Sequence, residues 1–342
     1  MAHQVTVQPS GNTFTVPEGD TILAAALNEG FHLPYGCRNG ACGSCKGKLV
    51  AGAIDYGKYQ HTALSADERA AGYALFCVAK PLSDVTIESR EIGAVKDIVV
   101  RKLPCRVHRI ERVTDDVVIL QLKLPANERL QFLAGQYIEF ILKEGARRSF
   151  SMANAPHEDE FLQLHVRHVP GGSFTDHVFN TMKERDILRF EGPLGSFFLH
   201  ESEKPIVFVA SGTGFAPIKA IIESAFKHNV GRPMTLYWGG RRPQDLYLDA
   251  LAREWAAEYP ALFDYVPVIS DALPEDGWTG RTGFVHRAVM ADMPDLSGVQ
   301  VYACGVPIMV ESARRDFTHE CGLPIDEFFA DSFTTQADLA AG

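Results

Sequence analysis

The chain of 342 residues is long enough for two or three domains, each with a core of its own. Its composition, 46% hydrophobic and 22% charged, is that of an ordinary globular protein, and its formal net charge of −10 argues against binding to nucleic acid. No apolar run is long enough to span a membrane and the start lacks the pattern of a signal peptide, so we expect a cytoplasmic protein without a membrane partner.

The first predicted elements form a small domain over residues 1–92. Alternating valines at its start predict a β-hairpin, and Asp20 or Thr21 can cap a short helix that follows. Further along, Ser65 and Glu68 match the capping box of a second short helix, and more short strands follow. The order predicted is therefore hairpin, helix, cysteine-containing loop and returning strands.

The cysteine-containing loop carries the most specific motif of the chain. Cys37, Cys42 and Cys45 stand in a C-x4-C-x2-C run, and Cys77 follows further along. This spacing resembles that by which plant-type ferredoxins hold a [2Fe-2S] cluster, and the element order resembles their β-grasp fold. The alternatives are a structural zinc site or disulfides, although no second half of a zinc motif follows Cys77. Three further, scattered cysteines fit a reducing cytoplasm.

Small and polar residues over 93–103 predict a linker, and a second domain is predicted over residues 104–202. Its short alternating runs, separated by turn signals, predict a small antiparallel β-barrel. Within it, Arg148-Ser149-Phe150-Ser151 resembles the flavin signature R-x-[YF]-[ST] of the ferredoxin–NADP reductase superfamily. The resemblance implies that Arg148 binds a flavin phosphate, that Phe150 lies against the isoalloxazine ring, and that Ser151 acts in catalysis at the flavin N5 edge.

Two later stretches of this domain extend the resemblance. His165-Val166-Arg167 falls where the superfamily has its second flavin-contacting strand. Gly172-Ser173-Phe174-Thr175 resembles the glycine turn that begins a helix, where free N–H groups can hold a pyrophosphate. A pyrophosphate site favours FAD over FMN. The alternative is a barrel that binds no flavin.

Over residues 203–342 apolar strands alternate with helical stretches, which predicts an α/β domain with a parallel sheet. Gly212-Thr213-Gly214 follows the first strand and can receive a nucleotide pyrophosphate, although a lone G-T-G is a weak signal. Gly239 and Arg241 follow the second strand, where a ribose or its phosphate would lie. Arg241 and Arg242 could bind a 2′-phosphate, but related NADH enzymes also carry arginine there, so we expect NADH, with NADPH as the alternative.

Two motifs near the C-terminus point to the same superfamily. Cys304-Gly305 resembles the start of its C-G-x-x-x-M element, which implies that Cys304 positions the nicotinamide; the alternative is a buried structural cysteine. Asp331 and Phe333 resemble an acid and an aromatic residue that end near the flavin in this superfamily. We therefore expect Asp331 near Ser151, in a catalytic role, and Phe333 against the isoalloxazine. The alternative is an acidic tail without a role.

The sequence thus predicts a multidomain protein: a β-grasp [2Fe-2S] ferredoxin, an antiparallel β-barrel FAD domain and a parallel-sheet NAD(P) domain. The whole resembles NADH reductases of multicomponent bacterial oxygenases, especially at 148–154, 164–172 and 212–218. It equally resembles CDP-6-deoxy-3,4-glucoseen reductases, at 133–137, 212–219 and 280–285. Both resemblances imply electron transfer from NADH through FAD and the cluster to a protein. The acceptor we expect is the oxygenase component of a Rieske-type or di-iron oxygenase, and the alternative is a pyridoxamine-dependent dehydrase. A redox sensor or binding module without turnover is the alternative from another class.

Overall fold

The structure, a computed structural model, describes residues 2–95 and 97–334. The chain divides into two compact units. The first runs to Ile98 and includes the chain from Ala330 onward, and the second is Val99–Phe329. Among the described residues, none of the helices combines the length and the apolar composition needed to cross a bilayer.

The first unit contains the helices α1 (Ile22–Asn28) and α2 (Ala66–Ala70) and the strands β1 (His3–Gln8), β2 (Thr13–Val16), β3 (Lys46–Ala51), β4 (Ile54–Asp55), β5 (Tyr73–Leu75), β6 (Lys80–Pro81) and β7 (Val85–Glu88). Five of the strands form a sheet in the order β2-β1-β7-β3-β5, and β4 pairs with β6. Strand β1 is antiparallel to β2 and parallel to β7. The predicted hairpin and the mixed sheet of a β-grasp fold are therefore confirmed.

Both helices of this unit begin where their capping residues predict. Thr21 is the N-cap of α1, and its hydroxyl accepts a backbone hydrogen bond of 3.2 Å. The helix then buries Ile22 and Leu23 in the core of the unit. At the start of α2, the capping box of Ser65 and Glu68 is present in both directions. Local chemistry therefore fixes both helix starts.

The second unit begins with the antiparallel strands β8 (Arg101–Arg112), β9 (Val117–Lys123), β10 (Tyr137–Ile141), β11 (Arg147–Ser151), β12 (Leu162–Arg167) and β13 (Ile187–Leu194), with α3 (Ser173–Asn180) between the last two. Their order is β11-β10-β13-β8-β9-β12. A bridge between Met152 and Leu164 joins the chain after β11 to β12 and closes the sheet. The enclosed core contains Ile138, Phe140 and Phe190, which confirms the predicted antiparallel barrel.

The nucleotide domain of the same unit contains the strands β14 (Ile206–Ser211), β15 (Met234–Gly240), β16 (Phe263–Ile269), β17 (Arg281–Thr282) and β18 (Gln300–Gly305). A last strand, β19 (Phe328–Ser332), begins in this unit, and its residues from Ala330 belong to the first unit. The helices of the nucleotide domain are α4 (Phe215–Lys227), α5 (Asp249–Glu258), α6 (Val285–Asp292) and α7 (Pro307–Glu320). The sheet order is β17-β16-β15-β14-β18-β19, and β14 to β18 pair in parallel. Continuous apolar strands such as β14 are buried throughout most of their length, so the predicted parallel sheet is confirmed.

Candidate functional site

The four predicted ligand cysteines lie together in the first unit. Cys42, Cys45 and Cys77 are buried, whereas Cys37 is half-buried. The backbone N–H of Cys37 donates to Cys42 Sγ at 3.3 Å, and that of Ala41 donates to Cys37 Sγ at 3.4 Å. Backbone donors of this kind stabilise thiolate sulfurs and help to set the potential of an iron–sulfur cluster.

The cysteine loop reaches this geometry through left-handed backbone conformations. Arg38, Gly40 and Gly43 have φ angles of 60°, 78° and 75°. Glycine adopts such angles without steric cost, and successive turns of this kind direct backbone N–H groups into a concave site for negative charge. This is the local reason why glycines stand between the cysteines.

The four thiols form two pairs. Cys37 is hydrogen-bonded to Cys42, and Cys45 is hydrogen-bonded to Cys77. The bond from the Cys37 thiol lowers the pKa of Cys42 to about 5, whereas the bond to Cys77, followed by burial, raises the pKa of Cys45. Two pairs of adjacent sulfur atoms fit a cluster with two irons, in which each iron would take two thiolates. The residues present therefore fit a [2Fe-2S] cluster.

The C-terminal strand reaches the cysteine loop within the first unit. Ser44 Oγ donates to the carbonyl oxygen of Ala330 at 2.9 Å. A Cβ at Gly36 would lie 3.5 Å from Asp331 Oδ1 and 3.2 Å from Cys42 Sγ. The carboxylate of Asp331 and a ligand sulfur therefore both stand next to one point of the loop. Sequence reasoning missed this contact, because it joins segments from opposite ends of the chain.

Asp331 is buried and Phe333 is half-buried in the structure. Their expected neighbours, Ser151 and the isoalloxazine ring, stay predictions. The structure shows a neighbour of Asp331 that the sequence did not predict, since its carboxylate lies beside the cysteine loop. A negative charge at that place would act on the cluster.

The predicted flavin-stacking ring lies on β11. Phe150 is half-buried, and its ring centroid is 5.1 Å from that of Phe174 and 5.9 Å from that of Phe140. Both partner rings belong to the barrel core. Aromatic packing on one side therefore holds Phe150 in place and leaves part of its surface for another planar group.

The polar side chains of the flavin signature are held by their neighbours. The Arg148 guanidinium donates to the carbonyl oxygen of Arg147 at 2.7 Å, and Ser149 Oγ donates to Glu139 at 3.3 Å. A guanidinium has five N–H donors, so the bond of Arg148 leaves donors for a phosphate. Ser151 is buried at the end of the strand. The arrangement fits the predicted flavin contacts, which stay predictions.

On β12 the predicted flavin-contacting residues have different surroundings. Val166 is part of the barrel core. His165 is buried, and its Nδ1 shares a hydrogen bond of 2.8 Å with Tyr247 Oη in the nucleotide domain. Burial, followed by the charge of Lys219, lowers the pKa of His165, so the ring is neutral at neutral pH. His165 therefore links the barrel to the nucleotide domain.

Arg167 extends from β12 to the nucleotide turn. A Cβ at Gly212 would lie 3.4 Å from the guanidinium carbon of Arg167. The same guanidinium forms ion pairs of 3.4 Å with Asp116 and with Asp245. The predicted flavin contact of Arg167 stays a prediction. The structure adds that its charge lies beside the turn predicted to hold a nucleotide pyrophosphate.

Helix α3 begins at the predicted pyrophosphate site of the flavin. Gly172 is its N-cap residue, and no side chain caps the helix there. The first N–H groups of the helix, beginning at Ser173, are therefore suited to bind an anion. Thr175 uses its hydroxyl to donate to the carbonyl oxygen of Val169 at 2.9 Å, and the Phe174 ring lies in the core. Flavin contacts of these two residues would therefore be made by their backbone.

The Gly212–Gly214 turn joins β14 to α4 at the carboxyl end of the parallel sheet, as predicted. A Cβ at Gly214 would lie 2.1 Å from the carbonyl oxygen of Cys304, and one at Gly305 would lie 2.1 Å from Ser211 Oγ. The ends of β14 and β18 therefore lie so close together that neither Gly214 nor Gly305 has room for a side chain. Cys304 is 0% exposed, and its predicted contact with the nicotinamide stays a prediction.

The two arginines after β15 are held differently. Arg242 donates two hydrogen bonds to the carboxylate of Asp276, at 2.6 and 2.7 Å. The side chain of Arg241 is 73% exposed, and its backbone N–H donates to Asp245 at 2.8 Å. Gly239, just before them, has no room for a side chain. Arg241 therefore has the more accessible guanidinium for a ribose phosphate.

Lys219 is a further residue of this region, and sequence reasoning missed it. It is 7% exposed, and its Nζ donates to the carbonyl oxygen of Ala153 at 3.1 Å and to Glu223 at 2.8 Å. Burial raises the pKa of Glu223, and Lys219 partly offsets this effect. Through Lys219, the Lys219–Glu223 pair connects α4 to Ala153, which lies just after the predicted flavin-binding strand β11. A lysine and a glutamate four residues apart in an apolar helix were the available signal.

Three protein families match the chain in succession. A "2Fe-2S iron-sulfur cluster binding domain" matches residues 5–82 and an "Oxidoreductase FAD-binding domain" matches residues 104–199. An "Oxidoreductase NAD-binding domain" matches residues 208–315. The predicted cofactors, a [2Fe-2S] cluster, FAD and a nicotinamide nucleotide, are therefore confirmed, together with the order of their domains.

Similar proteins align over almost the full length. A CDP-6-deoxy-L-threo-D-glycero-4-hexulose-3-dehydrase reductase of Yersinia pseudotuberculosis is 43% identical, over 97% of this chain and 99% of the relative. Reductase component 2 of terephthalate 1,2-dioxygenase from Comamonas sp. is 36% identical over 98% of both chains. The crystal structure of Amycolatopsis cytochrome P450 reductase GcoB has a TM-score of 0.75 and 35% identity, over 97% of this chain and 99% of the other.

Proposed function

Because this chain belongs to the family of iron–sulfur flavoprotein reductases that oxidise NAD(P)H, we propose that it supplies single electrons to an acceptor protein. The chain is an NAD(P)H oxidoreductase with [2Fe-2S], FAD and nicotinamide domains. NAD(P)H gives up two electrons as a hydride, and a bound FAD can accept the pair and release the electrons one at a time to the cluster. The observation that carries the proposal is the succession of iron–sulfur, FAD-binding and NAD-binding domains, with backbone N–H donors at the sulfurs of Cys37 and Cys42.

We assign the flavin to β11 and to the start of α3. Arg148 and the first N–H groups of α3 would hold its phosphates, Phe150 would lie against the ring, and the Ser151 hydroxyl would bond its N5 edge. Support comes from the aromatic packing behind Phe150 and from the uncapped helix start at Gly172. We keep Phe333 as a second ring contact and Asp331 as an acid near Ser151.

We assign the nicotinamide nucleotide to the Gly212–Gly214 turn and to the end of β18. The position of Arg167 supports this assignment, because its guanidinium lies beside Gly212 and has more N–H donors than its ion pairs with Asp116 and Asp245 use. Gly214 lies against the backbone of Cys304, and the nicotinamide would rest on the surface that these two residues form. Cys304 and Gly305 would position the ring, and Arg241 would reach the ribose.

We propose the domain boundaries 1–92 for the ferredoxin domain, 93–103 for a linker, 104–202 for the flavin domain and 203–342 for the nucleotide domain. We also place the reaction in the cytoplasm. Thiol ligands must stay reduced to bind iron, and every cysteine is a free thiol in the part of the chain that the structure describes. A reducing compartment suits this state.

For the acceptor we propose a pyridoxamine-dependent dehydrase that acts on a nucleotide-linked deoxyhexulose. The observation in its favour is the 43% identity with a dehydrase reductase over 97% of the chain. The second candidate is the oxygenase component of a Rieske-type aromatic-ring oxygenase. It is supported by the 36% identity with a terephthalate dioxygenase reductase.

Coupled turnover with purified acceptors should decide between the two. We expect this chain, with NADH and a purified CDP-6-deoxyhexulose 3-dehydrase, to form the 3-deoxy product with NADH consumed in proportion. With the oxygenase component of terephthalate dioxygenase, we expect NADH to be consumed with little dihydrodiol formed. Efficient product formation with the oxygenase component alone would reverse the order of the two candidates. Failure of both, with cytochrome c still reduced, would exclude both acceptors and leave the electron relay intact.

We propose NADH as the donor, and the Arg242–Asp276 pair provides a sharp test. In the native chain Asp276 engages Arg242 and lowers the positive charge offered to a 2′-phosphate. The Asp276→Ala variant should therefore raise kcat/KM for NADPH roughly tenfold, an effect of about 1.4 kcal/mol, with little change for NADH. The double variant Asp276→Ala with Arg242→Ala is the control and should lose the gain. A native preference for NADPH would contradict the proposal.

A further inference from the structure

A group of aromatic and cationic side chains lies beside the cysteine loop and takes no part in ligating the cluster. We propose that this group, here named the Tyr–Arg patch and made of Tyr56, Lys58, Tyr59, His61 and Arg69, is the docking surface for the acceptor protein. The acceptor it fits presents carboxylates around its own redox centre. This inference rests on the proposed function, because a docking surface beside the cluster serves a chain whose electrons leave from the cluster.

The Tyr–Arg patch rests directly on the cysteine loop. The backbone N–H of Gln60 donates to the carbonyl oxygen of Gly40 at 3.1 Å. A Cβ at Gly40 would lie 2.8 Å from the carbonyl oxygen of Lys58. Elsewhere on the loop, Ser44 is in contact with Ala330 of the C-terminal strand. An acceptor could therefore approach the cluster from the side of the patch, which the C-terminal strand does not occupy.

The side chains of the patch hold one another in place. The guanidinium of Arg69 lies 4.2 Å from the ring centroid of Tyr56 and donates to Tyr59 Oη at 3.2 Å. The rings of Tyr59 and His61 meet edge to face, with centroids 5.9 Å apart. Lys58, His61 and Arg69 are exposed to solvent. Ordered tyrosine and arginine side chains lose little entropy when a partner binds, and these residue types dominate the binding energy of protein interfaces.

Three carboxylates stand near the patch, and one of them, Glu68, is neutralised by an ion pair. Asp55 accepts a backbone hydrogen bond of 3.0 Å within its own turn, and Glu68 forms an ion pair with Lys46. Asp67 stands two positions before Arg69 on α2, and residues two apart on a helix do not share a face. On a chain of net charge −10, Lys58 and Arg69 thus present two exposed cations next to the cluster. The fork of Arg69 suits a carboxylate of the acceptor, and Lys58 adds a second cation for contact with it.

Charge reversal on the holoenzyme tests the proposal with two probe proteins of opposite charge, acidic cytochrome b5 and basic cytochrome c. The variants Arg69→Glu and Lys58→Glu should each lower kcat/KM for NADH-dependent reduction of cytochrome b5 about tenfold and weaken its salt dependence. The same variants should raise kcat/KM for cytochrome c. Lys227→Glu is the matched control, because it makes the same change of charge at an exposed position in the other unit.

Ferricyanide reduction and the visible spectra of cluster and flavin should be unchanged in all three variants. Lys58→Glu keeps the test valid if Arg69→Glu disturbs the capped helix α2. Cytochrome b5 kinetics that match Lys227→Glu in both patch variants would overturn the docking proposal and leave the relay standing. A native enzyme that reduces ferricyanide and neither cytochrome would instead overturn the relay, and the docking surface with it.

Discussion

Replacing Cys42 by alanine should reduce the NADH-dependent reduction of cytochrome c to the background rate while the reduction of ferricyanide is retained. Cys42 is buried, is paired with Cys37 and accepts the Cys37 backbone N–H at 3.3 Å. Without its sulfur one iron would keep a single thiolate, and the cluster would not be held. Ferricyanide can take electrons from the flavin, so its reduction does not need the cluster. Steady-state assays with both acceptors and an iron analysis measure the effect.

Cys105→Ala is the matched control for this experiment. Cys105 is also a buried thiol, but it lies on β8 in the barrel core, where burial raises its pKa to about 12. A protonated, buried thiol of this kind acts as a small hydrophobic side chain. The control should keep its iron and both activities. If Cys42→Ala kept native cytochrome c reduction, electrons would be leaving from the flavin and the cluster would not be the outlet.

The features predicted correctly from the sequence are those that neighbouring residues determine. The capping box of Ser65 and Glu68 needs only a four-residue stretch, and its hydrogen bonds are present. The G-T-G turn lies at the end of β14 because a buried apolar strand followed by glycines allows few other arrangements. Three of the four cluster cysteines likewise share one loop. In each case the chemistry and the geometry come from the same short segment.

The features that were missed depend on contacts between distant segments. Lys219 is buried because its ammonium group reaches Ala153, 66 positions away in the chain, and an exposed lysine would have had the same local sequence. Ser44 meets Ala330 across 286 positions. The packing of the Phe174 ring against Phe140 in the barrel core likewise joins separate segments of the chain. Periodicity shows that a residue is suited to a core, but not which partner it meets there.

Replacing Gly214 by alanine should lower kcat/KM for NADH about a hundredfold, because a shift of about 1 Å in a reacting group can have that effect. The backbone of Gly214 has an ordinary φ of −58°, so alanine adds no conformational strain. Its Cβ, however, would lie 2.1 Å from the carbonyl oxygen and 2.5 Å from the carbonyl carbon of Cys304. Backbone atoms cannot turn aside as a flexible side chain can. The ends of β14 and β18 would have to separate where the nicotinamide is proposed to rest.

Gly231→Ala separates this effect from a general loss of stability. Gly231 lies in the same domain, and a Cβ there would meet no atom within 4 Å. Rapid-mixing measurements of flavin reduction by NADH should therefore show a slow reaction for Gly214→Ala and a native rate for Gly231→Ala. The flavin and cluster spectra should be native in both, since the barrel and the first unit have their own cores. Native flavin reduction in Gly214→Ala would mean that hydride transfer does not depend on the contact between the Gly214 turn and Cys304, and the nicotinamide site would have to be placed elsewhere.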